Sequence, residues 1–178
     1  VRVFGDVTLG DTTFTECSAT AAGGALHVDQ ARNNVAANNV TFDHCFVGTD
    51  GIGGGTYVSG DSAASFATVT LDAAHFHDCR AGRGGGCLAL VGVQSELVAI
   101  DNSRFEQCVT NDLFRAGSVG GGVLVRGDHN HAIGVLRVFN SSFVRCAAHS
   151  GGAMYHDGSV AHKVEFTYAE MMRCTVPA

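Results

Sequence analysis

Apolar residues recur along the chain at fixed distances from a short motif, F-x-x-C, which stands in five copies with a sixth in which Met replaces Phe. The motif places Phe or Met at Phe14, Phe42, Phe76, Phe105, Phe143 and Met171, and Cys at Cys17, Cys45, Cys79, Cys108, Cys146 and Cys174. Seven and five residues before each Phe position stand two further apolar residues, such as Val98 and Ile100 in the fourth copy. Because side chains two residues apart lie on one face of a strand, this spacing predicts a β-strand upstream of each motif.

A pair of glycines follows each of the first five motifs, and a small and then a larger residue come next. The copies are Gly23-Gly24-Ala25-Leu26, Gly54-Gly55-Thr56-Tyr57, Gly85-Gly86-Cys87-Leu88, Gly121-Gly122-Val123-Leu124 and Gly151-Gly152-Ala153-Met154. We predict a strand after each pair, with the large residue inside. The small residues, Ala25, Thr56, Cys87, Val123 and Ala153, would then form a flat outward strip suited to lateral packing. The opposite orientation is the alternative, and it would remove this strip.

Three short strands per repeat in one register predict an all-β fold, specifically a parallel β-helix of about six coils over residues 1–178. The coils are anchored near residues 14–17, 42–45, 76–79, 105–108, 143–146 and 171–174. Equivalent side chains would stack about 4.8 Å apart, so the Phe positions would form an internal aromatic ladder. Four of the six residues between strand and motif are Asp or Asn, which suit a corner. An antiparallel sandwich or barrel is the alternative, although it does not require a shared register.

Composition narrows the class of protein. Hydrophobic residues make up 46% and charged residues 16%, which excludes wholesale disorder, and the 24 glycines have no collagen-like period. The net charge of −6 and the scattered basic residues argue against a nucleic-acid partner, and no apolar run approaches the length of a membrane span. The chain begins at Val1, and its first Met is Met154, so we expect a piece of a longer protein.

The motif pair F-x-x-C and G-G-A-L resembles the F-x-x-N and G-G-A-[ILV] repeats of the chlamydial polymorphic outer-membrane proteins, with Cys in place of Asn in all six copies. The resemblance covers roughly residues 7–176. It implies a right-handed parallel β-helix of the pectin-lyase-like class. It also implies a secreted or cell-surface segment that serves adhesion or assembly, with the repeats as its scaffold.

The cysteines have two interpretations. The favoured one treats the motif cysteines as small, buried apolar residues at a tight corner. The alternative is disulfide bonding between stacked neighbours, and Cys87 stands apart from the column in either case. Two N-glycosylation sequons begin at Asn39 and Asn140, in the predicted corner column. Both are candidate glycan sites, and the alternative is that they are only corner residues.

We find no catalytic constellation in the sequence and expect no cofactor. The carboxylates are scattered singly rather than paired as glycoside hydrolysis requires. His75 with His77, and His129 with His131, could each contribute to a metal site with a third ligand, but an exposed polar role is favoured for both pairs, so no metal site is predicted.

His44 would stack between Glu16 and Asp78 in a surface ladder, and these acids should favour its charged form.

These observations favour a non-enzymatic structural or adhesive segment of an extracellular or cell-surface protein. Its partners would be proteins or further β-helix coils, packed laterally or end to end, because neither end carries a polar cap. A carbohydrate-active enzyme or carbohydrate-binding segment is the first alternative. An interaction module of an intracellular complex is the second, and it would be favoured by reduced thiols and by the absence of glycans.

Overall fold

The computed structural model describes residues 1–31, 34–60, 68–111, 117–127, 132–157 and 161–176, and within these ranges the chain is all β. Its strands are β1 (Arg2–Phe4), β2 (Val7–Thr15), β3 (Ser18–Ala19), β4 (Leu26–Ala31), β5 (Asn34–Asp43), β6 (Phe46–Val47), β7 (Thr56–Gly60), β8 (Thr68–Asp72), β9 (His75–His77) and β10 (Arg80–Ala81). They continue with β11 (Leu88–Val91), β12 (Ser95–Asp101), β13 (Arg104–Glu106), β14 (Val109–Thr110), β15 (Val123–Arg126), β16 (Ile133–Phe139), β17 (Ser142–Val144), β18 (Met154–His156), β19 (Ala161–Thr167) and β20 (Glu170–Met172).

The strands form three parallel sheets, and each strand pairs with its equivalents in the neighbouring repeats. The six-stranded sheet has the order β1-β4-β7-β11-β15-β18, and the four-stranded sheet has the order β14-β10-β6-β3. The ten-stranded sheet contains the remaining strands. Within it Phe105 pairs with Phe76 on one side and Phe143 on the other, so the motif positions are in register. The prediction of an all-β chain with parallel strands is confirmed.

The Phe ladder is present. Successive rings from Phe14 to Phe143 stack with centroids 5.1, 4.5, 4.9 and 4.8 Å apart and with their planes within 11° of parallel. The four rings from Phe42 onward have no exposed surface. Met171 pairs with Phe143 and continues the column, with half of its surface exposed. Burial of each ring stabilises the fold by about 2–3 kcal/mol, so this column is a large part of the core.

The sheets divide the repeat differently from the prediction. The upstream strand and the motif strand lie in the same ten-stranded sheet, and in β2 and β5 they are continuous across the corner. The four-stranded sheet is built from the two residues after each of the first four motif cysteines, as in Arg80–Ala81, where no strand was predicted. Two-residue strands are too short to show an alternating pattern, and this explains the error.

The glycine register was also predicted wrongly. In two of the three repeats with three glycines, Gly53 and Gly120 occupy the positive-φ position of Gly23, so the equivalent pair there begins one residue earlier than predicted. Pairing therefore places Leu26, Thr56, Leu88, Val123 and Met154 in one inward column. Tyr57 and Leu124 face the other side of the sheet. The predicted outward strip does not exist, because Ala25, Thr56, Cys87, Val123 and Ala153 are all buried.

The corner residues adopt the left-handed backbone conformation that their composition predicted. Asp11, Asn39, Ala73, Asn102, Asn140 and Tyr168 have φ between 46° and 52°. The amide nitrogen of Asn39 donates a hydrogen bond of 2.6 Å to Asp11 Oδ1, and that of Asn140 donates one of 2.8 Å to Asn102 Oδ1. Side-chain bonds therefore reinforce the corner between the first and second repeats and between the fourth and fifth, whereas Ala73 has no polar side-chain group to form such a bond.

We expect Ala73→Asn to stabilise the protein by about 1 kcal/mol. Ala has φ of 51° here, a conformation that costs most L-residues about 1–2 kcal/mol and Asn less. The new amide would also lie between those of Asn39 and Asn102 in the corner column. Urea denaturation should therefore give a higher midpoint for Ala73→Asn than for the wild type. Ala73→Gly, which relieves the backbone but adds no amide, is the matched control, and a lower midpoint for Ala73→Asn would contradict the prediction.

Candidate functional site

The outward face of the six-stranded sheet carries a groove of about 780 Å³. Alternate strand residues point into it, beginning with the paired His27 and Tyr57. Leu124 comes from β15, and Asp29 and Arg126 lie two residues further along their strands. Residues outside the strands complete the lining: Ala21, Ala22, Asp50, Ile52, Arg83 and Gly117.

The floor of the groove is apolar and aromatic. Leu124 packs with Ala89 and Val119 in a small cluster separate from the main core, and Tyr57 packs against it. The ring of His27 meets that of Tyr57 edge-on, with centroids 4.8 Å apart. Burial lowers the pKa of His27, assisted by the nearby Arg2, so the neutral imidazole is favoured. Burial likewise raises the pKa of Tyr57, so its phenol stays protonated.

The carboxylates of the groove are held as ion pairs. Asp29 accepts hydrogen bonds of 2.5 Å from Arg2 and 2.8 Å from Ser59. These two bonds lower the pKa of Asp29, so its carboxylate stays ionised at neutral pH. Asp50 lies 2.8 Å from the Arg83 guanidinium. A general acid in glycoside cleavage needs a raised pKa, so the lowered pKa of Asp29 makes this residue unsuited to that role.

Sequence reasoning missed this groove. The residues of its main column differ from each repeat to the next and give no periodic signal; they are His27, Tyr57, Ala89, Leu124 and Tyr155. The shifted glycine register then assigned Tyr57 and Leu124 to the interior. Sequence alone does not reveal this shift, because the triple glycine Gly84-Gly85-Gly86 keeps the predicted register, with its middle residue Gly85 at the positive-φ position.

The motif cysteines are buried or half-buried, and most of them are free thiols. The thiols of Cys79, Cys146 and Cys174 donate to the carbonyl oxygens of the Phe residues one repeat earlier, over 3.4–3.5 Å. Donation of a hydrogen bond to the Cys45 sulfur, together with burial, raises the pKa of Cys79, so this thiol remains protonated and unreactive. The cysteines thus pack as small apolar residues and also act as weak donors between repeats.

Cys108 is the exception in the column, because it forms a disulfide with Cys87, with the two Cα atoms 5.3 Å apart. The partner is the cysteine that stood apart from the column, and not a stacked neighbour. Neither sequence interpretation anticipated this pairing, since Cys87 was assigned to an outward face. It is fully buried, which places its sulfur in the interior beside the Cys column.

We expect reduction of this disulfide to lower the free energy of unfolding by about 3 kcal/mol, because the bond closes a loop with a sequence separation of 21 residues. Urea denaturation with and without a thiol reductant measures the loss. The double variant Cys87→Ala/Cys108→Ala is the control, since its midpoint should not respond to reductant. An unchanged wild-type midpoint after verified reduction would contradict the prediction.

Both sequon asparagines are exposed at the corner of the ten-stranded sheet, as predicted. Asn39 and Asn140 each use the side-chain nitrogen, the atom that carries an N-linked glycan, as a donor to the preceding repeat. An N-glycosylated amide keeps one N–H, so this hydrogen bond and a glycan are compatible. Glycosylation itself stays a prediction.

The structure does not join His75 and His77 in one site. They flank Phe76 on β9, and their ring centroids lie 6.2 Å apart. His77 Nδ1 instead lies 2.7 Å from the carboxylate of Asp43, one repeat earlier. The second candidate pair, His129 and His131, lies outside the residues that the structure describes.

His44 is charged more readily than an ordinary histidine, as the sequence suggested, but its main partner is different. Its Nδ1 lies 2.8 Å from the adjacent Asp43, and its Nε2 lies 3.5 Å from Asp78. The hydrogen bond that His44 donates to the Asp43 carboxylate is the first cause that raises the pKa of His44, with smaller contributions from Asp78 and Glu16. The predicted surface ladder of Glu16, His44 and Asp78 thus also includes Asp43, which directly follows Phe42, whereas the predicted members lie two residues after their Phe.

No protein-family model, curated protein or solved structure matches this chain. In the part of the chain that the structure describes, no helix has the length and the apolar composition of a membrane span.

Proposed function

We propose that the chain is a segment of a right-handed parallel β-helix that acts as a non-enzymatic structural or adhesive element. One observation carries this proposal: in all three sheets, each strand pairs with its equivalent one repeat away. The recurring residues, which are Cys in all six motifs, Phe in five and the glycine pair in five, are therefore used for packing between repeats and not for chemistry. The resemblance to the chlamydial surface repeats supports the same function and the handedness.

The last described repeat supports packing at an end of the stack. Val164, Phe166 and Met171 are 40%, 47% and 51% exposed, whereas their equivalents one repeat earlier are fully buried. Apolar side chains that are exposed at the open end of a stack of strands favour the packing of a further β-helix coil against that end. We propose that a further β-helix coil covers them, and that in the isolated segment the first repeat of a second copy takes this place, because Val7 and Phe14 belong to the same columns and would continue them. This contact is head to tail and generates filaments.

Sedimentation velocity over a range of concentrations tests this packing. We expect the wild type to self-associate and Phe166→Lys to remain monomeric, because a charge would be buried in the contact. Tyr168→Lys is the matched control, since Tyr168 is 78% exposed at the corner, and it should associate like the wild type. Met171→Lys provides a second variant if Phe166→Lys disturbs the fold. A wild type that stays monomeric at every concentration would overturn end-to-end packing.

The groove supports carbohydrate binding as a second candidate function. The aromatic Tyr57 lies on its floor, and the exposed Arg83 and Arg126 lie at its edge, a combination that suits a sugar ring with acidic substituents. Affinity electrophoresis in gels that contain polygalacturonate measures such binding. We expect Tyr57→Ala to lose retardation and Tyr155→Ala, changed in the same column outside the groove, to keep it. Retardation that Tyr57→Ala does not reduce would count against the groove.

Incubation with polygalacturonate separates binding from catalysis. We expect no new reducing ends and no unsaturated product, because Asp29 and Asp50 are held in ion pairs with arginines. Product formation that is lost in Asp29→Asn would overturn the non-enzymatic assignment.

A location outside the cell or at its surface is supported by the Cys87–Cys108 disulfide, since such bonds persist in oxidising compartments. Mass spectrometry of the protein from its natural source tests this location. We expect an intact Cys87–Cys108 bridge. A fully reduced protein without glycans would favour the intracellular interaction module.

A further inference from the structure

Three side chains on the outer surface of the ten-stranded sheet converge on one point. Asp43, His44 and His77 each place a potential ligand atom within 4.8 Å of the others. The Nδ1 atoms of both histidines approach the same carboxylate oxygen, Asp43 Oδ1, at 2.8 and 2.7 Å. Two imidazole nitrogens and one carboxylate oxygen are the donor set that Zn²⁺ and related divalent transition metals prefer.

We propose that Asp43, His44 and His77 form a binding site for a divalent transition metal of the Zn²⁺ class, which links two neighbouring repeats. The ligand atoms are His44 Nδ1, His77 Nδ1 and Asp43 Oδ1. On binding, the metal replaces the Nδ1 protons that the two imidazoles share with the carboxylate, and these protons pass to solvent. Water completes the tetrahedral coordination, because the side chains of His44 and His77 are 51% and 34% exposed.

The backbone holds the ligands in place. Asp43 and His77 are directly paired residues of β5 and β9, next to Phe42 and Phe76. Those two rings stack at 4.5 Å, the shortest separation among the described rings of the ladder, and they fix the strands beneath the site. His44 follows Asp43 with φ of 51°, and this turn directs its ring toward the same point. The site is therefore assembled by the fold before any metal binds.

Asp78 supplies the outer support that metal-binding histidines usually have. Its Oδ2 lies 3.5 Å from His44 Nε2, the ring nitrogen that does not face Asp43. A carboxylate at this nitrogen favours the tautomer protonated at Nε2, which leaves Nδ1 free to bind a metal. The carboxylate also increases the basicity of the imidazole, so Asp78 acts as a positioning residue and not as a ligand.

Isothermal titration calorimetry of the full chain with ZnCl₂ tests the site. We expect one Zn²⁺ per chain in the wild type, with no response to MgCl₂, since Mg²⁺ prefers oxygen ligands. His44→Gln and His77→Gln should each abolish this binding, and Asp78→Asn should weaken it about tenfold. Gln is suitable at position 44 because Gln107 occupies the same column with φ of 55°. His75→Gln, two residues from His77 on the same strand, is the matched control and should bind like the wild type.

Free thiols also bind Zn²⁺, so Co²⁺ spectroscopy gives a second measurement. Coordination by nitrogen and oxygen gives only weak visible bands, whereas thiolate ligands add a strong charge-transfer band in the near ultraviolet. We expect the weak bands alone, and their loss in His44→Gln. Absence of Zn²⁺ binding in the wild type, unchanged binding in both histidine variants, or a dominant thiolate band would overturn the proposal. Unfolding midpoints without metal identify any variant that fails to fold, and the other histidine variant then decides.

Discussion

Phe76→Ala is expected to lower the free energy of unfolding by about 4 kcal/mol. Phe76 lies in the middle of the aromatic ladder, fully buried, with rings stacked on both sides at 4.5 and 4.9 Å. Truncation removes both ring contacts and leaves a cavity that the neighbouring strands cannot close, because they are held in register by their own pairings. Urea denaturation followed by circular dichroism measures the loss.

Phe46→Ala is the matched control for this experiment. Phe46 begins the two-residue strand β6 and is 50% exposed, so its replacement should cost less than about 1 kcal/mol. Equal losses for the two variants would show that the ladder has no special part in stability. A denaturation slope that changes with the midpoint would point to a broken two-state transition in place of a simple loss of packing.

Gly86→Ala is expected to cost about 4 kcal/mol or to prevent folding. A Cβ atom at this position would lie 2.5 Å from the backbone nitrogen of Val109 and closer still to the carbonyl oxygen of Gly121. Both obstacles are backbone atoms, which cannot move aside as a flexible side chain could. The variant must therefore separate adjacent repeats, and expression yield with thermal denaturation measures the effect.

Gly10→Ala distinguishes this clash from a general cost of replacing glycine. Gly10 lies within β2, has no positive φ, and would place a Cβ with no atom within 4 Å. We expect its melting temperature to equal or slightly exceed that of the wild type, because Ala restricts the unfolded chain more than Gly does. A large loss in Gly10→Ala, or none in Gly86→Ala, would contradict the steric explanation.

The interior of this protein was largely predictable from its sequence, because each interior position repeats. Phe105 lies between Phe76 and Phe143, and each buried Phe is likewise paired with the equivalent residues of the adjacent repeats. The F-x-x-C spacing alone therefore predicts the burial of all of them. The corner at Asn102 was predictable for a similar reason, since Asp and Asn tolerate its left-handed backbone. Periodicity finds residues whose surroundings recur from repeat to repeat.

The surface sites were not predictable in this way, because they depend on differences between repeats. Tyr57 lines the groove because the repeat register at Gly53-Gly54-Gly55 is shifted by one residue from the predicted register. With three glycines in a row, the sequence alone leaves that register ambiguous. Asp43 was overlooked because it and His44 lie in neighbouring columns, and only the turn of the backbone brings their side chains together. Cys87 shares its column with glycine and alanine, so its bond to Cys108 had no precedent in the other repeats.

Because strands pair only between successive repeats, the repeats at the ends of the stack can unfold without the middle ones. Strands of one repeat contact those immediately before and after, so loss of a terminal repeat removes few contacts from the middle of the chain. The Cys87–Cys108 bridge lies near that middle, whereas the exposed Phe166 and Met171 mark the far repeat. Amide hydrogens should accordingly exchange with solvent fastest in β19 and β20 and slowest around β11 to β13, as a gradient and not as a single cooperative event.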